Sequence, residues 1–166
     1  IFDFEKKLEE ILENKKSPLI ILLDGITDTR NFGAIIRTAA ATNVDTIVVS
    51  TSNSAPINND VIKTSAGGVF KTPISKVDNL KDAIYLLKSN NIDIIAITEK
   101  AKDLIYNYKL NKPVSIILGA EDKGISKGIL KIIDNKAKIP MKKTADSLNV
   151  SVACGIALYE IIRQRQ

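Results

Sequence analysis

The sequence predicts an α/β fold built on a mostly parallel β-sheet, and two observations carry that prediction. From Leu19 onward, short apolar runs alternate with helix-period patterns, which is the rhythm of strand–helix–strand units. The runs are rich in β-branched residues and almost continuously hydrophobic, as strands covered on both faces must be. A hydrophobic content of 45% beside 26% charged residues over 166 positions fits one compact domain that buries its core without disulfides or metal.

Taken in order, Phe2–Asn14 carries Phe4, Leu8, Ile11 and Leu12 at helical spacing among Glu and Lys, an amphipathic helix. The polar run Asn14-Lys15-Lys16-Ser17-Pro18 follows it, so residues 1–17 read as a linker helix and residues 18–166 as the main domain. Strands are expected at Leu19–Leu23, Thr46–Ser50, Ile92–Thr98, Val114–Leu118 and Ala137–Ile139, with a further short one at Val69–Ile74. Helices are expected at Phe32–Thr42, Asn59–Ala66, Leu80–Ser89, Ser126–Ile133 and Asn149–Gln164. The first half of the last helix is apolar or small on nearly every face, which indicates burial all round. Its Gly155 costs about 1 kcal/mol in a helix interior relative to Ala, and close approach of another backbone would offset that cost. That backbone belongs either to the same chain or to a second subunit.

Composition removes several chemistries. The chain has no histidine and a single cysteine, Cys154, so Ser-His-Asp catalysis, an intrachain disulfide and the usual zinc sites are excluded. No metal is expected. No apolar run reaches the ~20 residues that span a bilayer, and a cytoplasmic location is the simplest reading. The net charge of +5 points to an anionic partner, nucleic acid first.

Polar constellations follow three of the expected strands. After the first comes Asp24-Gly25-Ile26-Thr27-Asp28-Thr29-Arg30-Asn31-Phe32-Gly33-Ala34-Ile35-Ile36-Arg37, at the carboxyl end of a strand, where open α/β sheets bind ligands. Arg30 and Arg37 suit phosphate, and Asn31 suits a hydroxyl or amide; Arg37 is expected on the same side of the helix start as Asn31. A plain turn and helix cap would use similar residues. The segment has neither a Gly-x-Gly-x-x-Gly fingerprint nor a Walker motif, so hydride transfer and ATP hydrolysis lose ground. The second constellation, Gly119-Ala120-Glu121-Asp122-Lys123-Gly124, ends a buried strand in a glycine loop through which a ligand can approach the backbone. The third, Ile139-Pro140-Met141-Lys142-Lys143 to Ser147-Leu148-Asn149-Val150-Ser151, ends in a capped helix start, which suits polar or anionic groups.

In order, these segments resemble the three motifs of the SpoU (TrmH-type) RNA 2′-O-ribose methyltransferases of the SPOUT superfamily. The matches are Asn31-Phe32-Gly33-Ala34-Ile35-Ile36-Arg37-Thr38-Ala39, then Gly119 to Gly124, then Ile139-Pro140-Met141 with Ser147 to Ser151. Lys63-Thr64-Ser65-Ala66-Gly67-Gly68 and Tyr159 to Arg165 look most like the branch that methylates a guanosine ribose in 23S rRNA. The resemblance implies a SPOUT-type α/β knot, with the C-terminal segment threaded into a trefoil. It also implies a homodimer through the C-terminal helix, with the active site near the interface, and S-adenosylmethionine as cofactor.

Carried over by motif, Asn31, Arg37, Glu121, Ser147 and Asn149 match the polar catalytic set. Gly119, Ile139 and Leu148 match positions that hold the adenosyl part; Thr98, Leu118, Ala120, Gly124 and Met141 complete the expected cofactor site. Arg30, Arg37, Lys63, Lys71, Lys142 and Lys143 are the expected RNA contacts. The chain departs from many relatives at Thr29, where Pro is usual, and at Lys142-Lys143, where Gly is usual. The first helix resembles the linker that follows a small N-terminal RNA-binding domain in full-length members. The implied reaction is transfer of a sulfonium methyl to a ribose 2′-oxygen. An arginine is an improbable base, so Arg37 is expected to clamp phosphate and ribose while phosphate or water takes the proton. A tRNA ribose methyltransferase and a non-catalytic RNA-binding paralogue are the alternatives.

Overall fold

Among the described residues, seven parallel strands make one sheet, in the order β1-β4-β3-β2-β6-β5-β7. They are β1 (Phe2–Asp3), β2 (Leu19–Asp24), β3 (Thr46–Ser50), β4 (Ile74–Val77), β5 (Asp93–Ile97), β6 (Val114–Gly119) and β7 (Asn135–Ala137). The helices are α1 (Phe4–Asn14), α2 (Thr29–Ala41), α3 (Asn59–Thr64), α4 (Leu80–Ser89), α5 (Lys127–Leu130) and α6 (Val150–Arg165). The computed structural model describes residues 1–143 and 147–166.

The continuous hydrophobicity of the central strands has the expected cause. Side chains alternate between the faces of a strand, and here both faces are covered. Leu19, Ile21 and Leu23 of β2 join Phe32, Ile35 and Ile36 of α2 and Cys154, Leu158 and Ile161 of α6 in one core cluster. Ile20 and Leu22 join Phe4 and Leu8 of α1, Ile84 and Leu87 of α4, and Ile129 of α5 in the other. The fold is therefore three layers deep, with α2 and α6 on one face and α1, α4 and α5 on the other. Of the amphipathic stripe expected on the first helix, Phe4, Leu8 and Ile11 are buried while Leu12 stays exposed, and β1 pairs with β4 at the sheet edge.

Several boundaries differ from those read in the sequence. The strand expected at Val69–Ile74 is a 3₁₀ turn, Gly68–Phe70, followed by β4 at Ile74–Val77. Ala66 and Gly67 take positive φ values of 51° and 81°, and this left-handed pair turns the chain before a strand can begin. The strand expected at Ala137–Ile139 ends instead at Ala137, which frees Ile139. The helix expected at Ser126–Ile133 is the single turn α5. α2 starts earlier than expected, at Thr29, because Asp28 caps it, accepting from the Asn31 N–H at 2.9 Å.

α6 crosses one face of the sheet from end to end. Arg165 in its last turn donates to the carbonyls of Ser17 at 2.9 Å and Lys112 at 2.8 Å, just before β2 and β6. Its first residue, Val150, therefore lies at the strands' carboxyl ends, about 24 Å away at 1.5 Å per residue.

Candidate active site

α2 leaves the end of β2 towards one face, and α5 leaves the end of β6 towards the other. β2 and β6 are adjacent, with Asp24 in register with Gly119. A crevice opens between the carboxyl ends of strands whose connections diverge in this way. Asp24 ties the two loops together there, its Oδ2 accepting from the Ser126 N–H at 2.8 Å.

Gly119 and Gly124 shape the loop after β6. A Cβ on Gly119 would fall inside the backbone of Gly124 and Ile125, and Gly124 sits at φ 65°. The turn is closed by the Gly124 N–H donating to the Ala120 carbonyl at 2.6 Å. Only residues without side chains allow this fold-back, which presents Glu121 at its tip.

Glu121 joins a network that draws all three constellations together. The Asn149 amide donates from Nδ2 to Glu121 Oε1 at 2.6 Å and to Asn31 Oδ1 at 3.0 Å. The Val150 N–H donates to the same Glu121 oxygen at 3.0 Å. Asn149 Oδ1 caps α6, accepting from the N–H groups of Ser151 at 2.9 Å and Val152 at 3.3 Å. Both ends of the Asn149 amide are thus engaged, which fixes its orientation. Among the described residues, Glu121 keeps Oε2 as an unspent acceptor and Asn31 keeps Nδ2 as an unspent donor.

Cavities lie on either side of this network. One of about 170 Å³ is lined by Thr98, Leu118, Gly119, Ala120, Gly124, Ser147 and Leu148, with a charged rim of Glu99, Lys100, Asp122 and Lys123. A smaller recess of about 60 Å³ shares Thr98, Leu148 and Ala153 with it and adds Ile139 and Met141. All eight residues expected to hold a cofactor therefore line one or other of these two neighbouring recesses. On the other side, about 250 Å³ is bounded by Gly25 to Asp28, Asn31, Glu121 and Val150. Glu121 lines both the first and the third of these spaces.

Asn31, Glu121, Ser147 and Asn149 thus meet at the cleft, but Arg37 does not. It lies six residues past Asn31 on α2, about 9 Å along the axis and about 120° around it, and it is exposed. The expectation that it shares the helix-start face with Asn31 is corrected by this geometry. The expected RNA contacts are likewise spread out. Arg30 is exposed beside Asn31, and Lys142 and Lys143 line a recess with Ile139 and Met141. Lys63 lies on α3, and Lys71 lines a separate cleft with Asp45 and Pro73. Two contributors were not foreseen. Asp24 opens the first polar constellation but has no assigned role until β2 and β6 are seen to pair, and the Val150 N–H is a backbone group with no signature beyond the helix start.

Cys154 has no part in the site. It is fully buried, and burial pushes its thiol up to about 12, so it stays protonated and inert at neutral pH. Among the described residues, no group of His, Cys, Asp and Glu could hold a metal ion, and no helix is long and apolar enough to cross a membrane.

Known proteins share this fold. The SpoU rRNA Methylase family matches residues 18–159. The chain is 38% identical over 162 residues to the 23S rRNA (guanosine-2'-O-)-methyltransferase RlmB of Haemophilus influenzae, covering 97% of this chain and 66% of that protein. The corresponding protein of Vibrio parahaemolyticus is 38% identical over 97% of this chain and 65% of its own length. The chain thus spans slightly less than two thirds of these relatives. Among solved structures, the SpoU methyltransferase AviRb from Streptomyces viridochromogenes superposes with a TM-score of 0.86 at 26% identity, over 95% of this chain and 63% of that one. It has also been solved in complex with the cofactor AdoMet. The A. aeolicus TrmH/SpoU tRNA modifying enzyme superposes with a TM-score of 0.81 at 35% identity, over 96% of this chain and 81% of that one. On the family match across most of its length, the chain belongs to the SpoU rRNA methylase family.

Proposed function

We propose that this protein is an S-adenosylmethionine-dependent RNA methyltransferase acting on a ribose 2′-hydroxyl, with a guanosine of 23S ribosomal RNA as the favoured target. The observation that carries the reading is the Asn31–Asn149–Glu121 network standing between two cavities. A two-substrate transfer needs such an arrangement, with cofactor on one side and acceptor on the other.

The cleft suits the cofactor. Leu118, Ile139 and Leu148 offer apolar surface to a purine, Gly119 opens the backbone edge, and the charged rim suits an amino-acid moiety. When bound there, S-adenosylmethionine supplies an electrophilic methyl on a sulfonium. Across the network, the free Nδ2 of Asn31 and the free Oε2 of Glu121 form a donor–acceptor pair. A ribose hydroxyl both donates and accepts, so this pair can hold it in one orientation. A protonated hydroxyl is a poor nucleophile; Glu121 polarises it, and phosphate or water takes the proton. Arg37, always charged, clamps phosphate rather than acting as a base.

The active unit is a homodimer paired through α6. Among the described residues a Cβ on Gly155 would meet only Thr38 Cγ2, at 3.8 Å, so none of them calls for glycine there. Val152 and Tyr159 stay 50% and 55% exposed on the same stripe. Pairing would cover that stripe and bring Arg37, on the neighbouring α2, towards a site it does not reach within its own chain. The fold carries a C-terminal trefoil knot, as the SPOUT architecture implies, and the close superposition on SpoU methyltransferases supports this. The setting is the cytoplasm, where ribosomal RNA is found. A tRNA substrate is the second reading, favoured by the likeness to the A. aeolicus tRNA modifying enzyme over most of both chains.

Transfer of labelled methyl from S-adenosylmethionine to total RNA, followed by mapping of the modified nucleotide, tests the reading. Label in a 23S guanosine ribose is the expected result, and label in tRNA selects the second reading. Cofactor binding by calorimetry without any transfer would mean a non-catalytic RNA-binding protein. Arg37→Lys should lower turnover at least tenfold, because lysine lacks the bidentate fork; near-full turnover would remove the clamp.

A further inference from the structure

The turn between α3 and β4 has a feature that the transfer reaction leaves unused. Phe70 is 78% exposed, although the turn bearing it is held firmly. Gly68 donates to the Ser65 carbonyl at 2.9 Å, Phe70 to Gly67 at 3.1 Å, and Thr72 to Gly68 at 2.9 Å. Ser65 and Thr72 are buried on either side, and Val69 packs on the core. The turn also presses on α2, since a Cβ on Gly68 would stand 3.2 Å from the Ile36 carbonyl oxygen and 3.3 Å from Arg37 Cα. An aromatic ring is thus presented outward from a fixed backbone beside Arg37.

A single exposed hydrophobic residue needs no explanation; its surroundings here are what matter. Arg37, Lys63 and Lys71 are all exposed and flank the turn in space or in sequence. Among the described residues, none of the three is paired with a carboxylate. A rigid aromatic face among unneutralised cations is the composition of a single-stranded nucleic-acid site, where bases stack on rings and phosphates meet cations. Another protein surface would gain from the ring but would have to neutralise or desolvate the cations. The net charge of +5 favours the polyanion.

We propose that Phe70 is a stacking platform for an unpaired base of the RNA substrate, with Arg37, Lys63 and Lys71 contacting the phosphates around it. The inference rests on the RNA reading above and deepens it. The turn meets α2 at Ile36 to Ala40, about 8–14 Å along the helix from Asn31. The stacked base is therefore a neighbour of the methylated nucleotide and not the target itself. Because a base inside a duplex cannot offer its face to the ring, the substrate is an open loop or bulge at this point.

A hairpin RNA with 2-aminopurine in its loop reports the stack by fluorescence quenching. The wild-type chain should quench it, and Phe70→Trp should keep both quenching and affinity. Phe70→Ala should lose the quenching and bind roughly 5- to 150-fold more weakly, the loss of one aromatic–base stack. Its salt dependence should be unchanged, whereas Lys63→Ala should flatten the salt dependence by about one phosphate contact. Cofactor binding by Phe70→Ala should stay at the wild-type level, confirming the fold. Equal RNA affinity of Phe70→Ala and wild type overturns the platform while leaving the methyltransferase reading intact. A shift of Phe70→Ala from dimer to monomer would mean that the ring meets a second copy of the chain, which also overturns it. Failure of the wild type to bind any RNA overturns both readings.

Discussion

Gly119 shows how one missing carbon sets the geometry of the cleft. Any side chain there would collide with the backbone of Gly124 and Ile125, and backbone cannot swing aside as a flexible side chain can. Gly119→Ala should therefore open the loop that carries Glu121 and weaken S-adenosylmethionine binding by at least tenfold in calorimetry. The sheet should persist by circular dichroism, since the clash lies beyond the core. Cys154 offers a second check at this scale. Its thiol is held near 12 in the fold against an ordinary 9.0, so between those values the folded chain keeps a proton that the unfolded chain releases. That contribution is complete below about pH 9 and is lost as the pH rises towards 12. Comparing urea unfolding at pH 8 and pH 10.5, the wild type should lose about 2 kcal/mol more than Cys154→Ala, at 1.36 kcal/mol per unit. Equal losses would show that the thiol is not buried as described.

At the scale of elements, α6 carries the most information. Its cap residue Asn149 orders the network with Asn31 and Glu121 at one end, and Arg165 anchors the other end to the carbonyls before β2 and β6. Its apolar character on nearly every face was legible in the sequence, but the chain buries only the side bearing Cys154, Leu158 and Ile161. The side bearing Val152 and Tyr159 stays exposed, and it is the face on which the proposed dimer would pair. A Val152→Lys, Tyr159→Glu double variant should sediment as a monomer where the wild type sediments as a dimer. Its monomer fold should keep its stability within roughly 1 kcal/mol, since exposed positions tolerate change. A monomeric wild type would end the dimer proposal. Elements were harder to read where they were shortest. β1 and the turn Gly68–Phe70 have too few residues for a periodicity to register, and the latter owes its shape to positive φ at Ala66 and Gly67.

Across the whole molecule, a modest positive charge is distributed rather than gathered. Arg30 lies beside Asn31, Lys142 and Lys143 in a recess with Ile139 and Met141, Arg37 on α2 and Lys63 on α3, and Lys71 in a separate cleft. RNA touching these six must run over much of one side of the domain, and each contact adds about 0.7 to the slope of log affinity against log salt for single strands. A slope near −4 is expected from a binding titration across salt concentrations; a slope near −1 would confine RNA to the cleft.

Strand and helix character, the three loop motifs and the cap at Asn149 were determined by the sequence itself. Each depends on a period or a cap chemistry encoded within a dozen neighbouring residues. The order of the strands was not, because β2, β3, β5 and β6 are all buried apolar runs and nothing in such a strand names its neighbour. Only the tertiary structure set β2 beside β6 and brought Asn149 to Asn31 across 118 residues of chain. It also left Arg37 exposed on α2, outside the hydrogen bonds that join Asn31, Asn149 and Glu121 among the described residues.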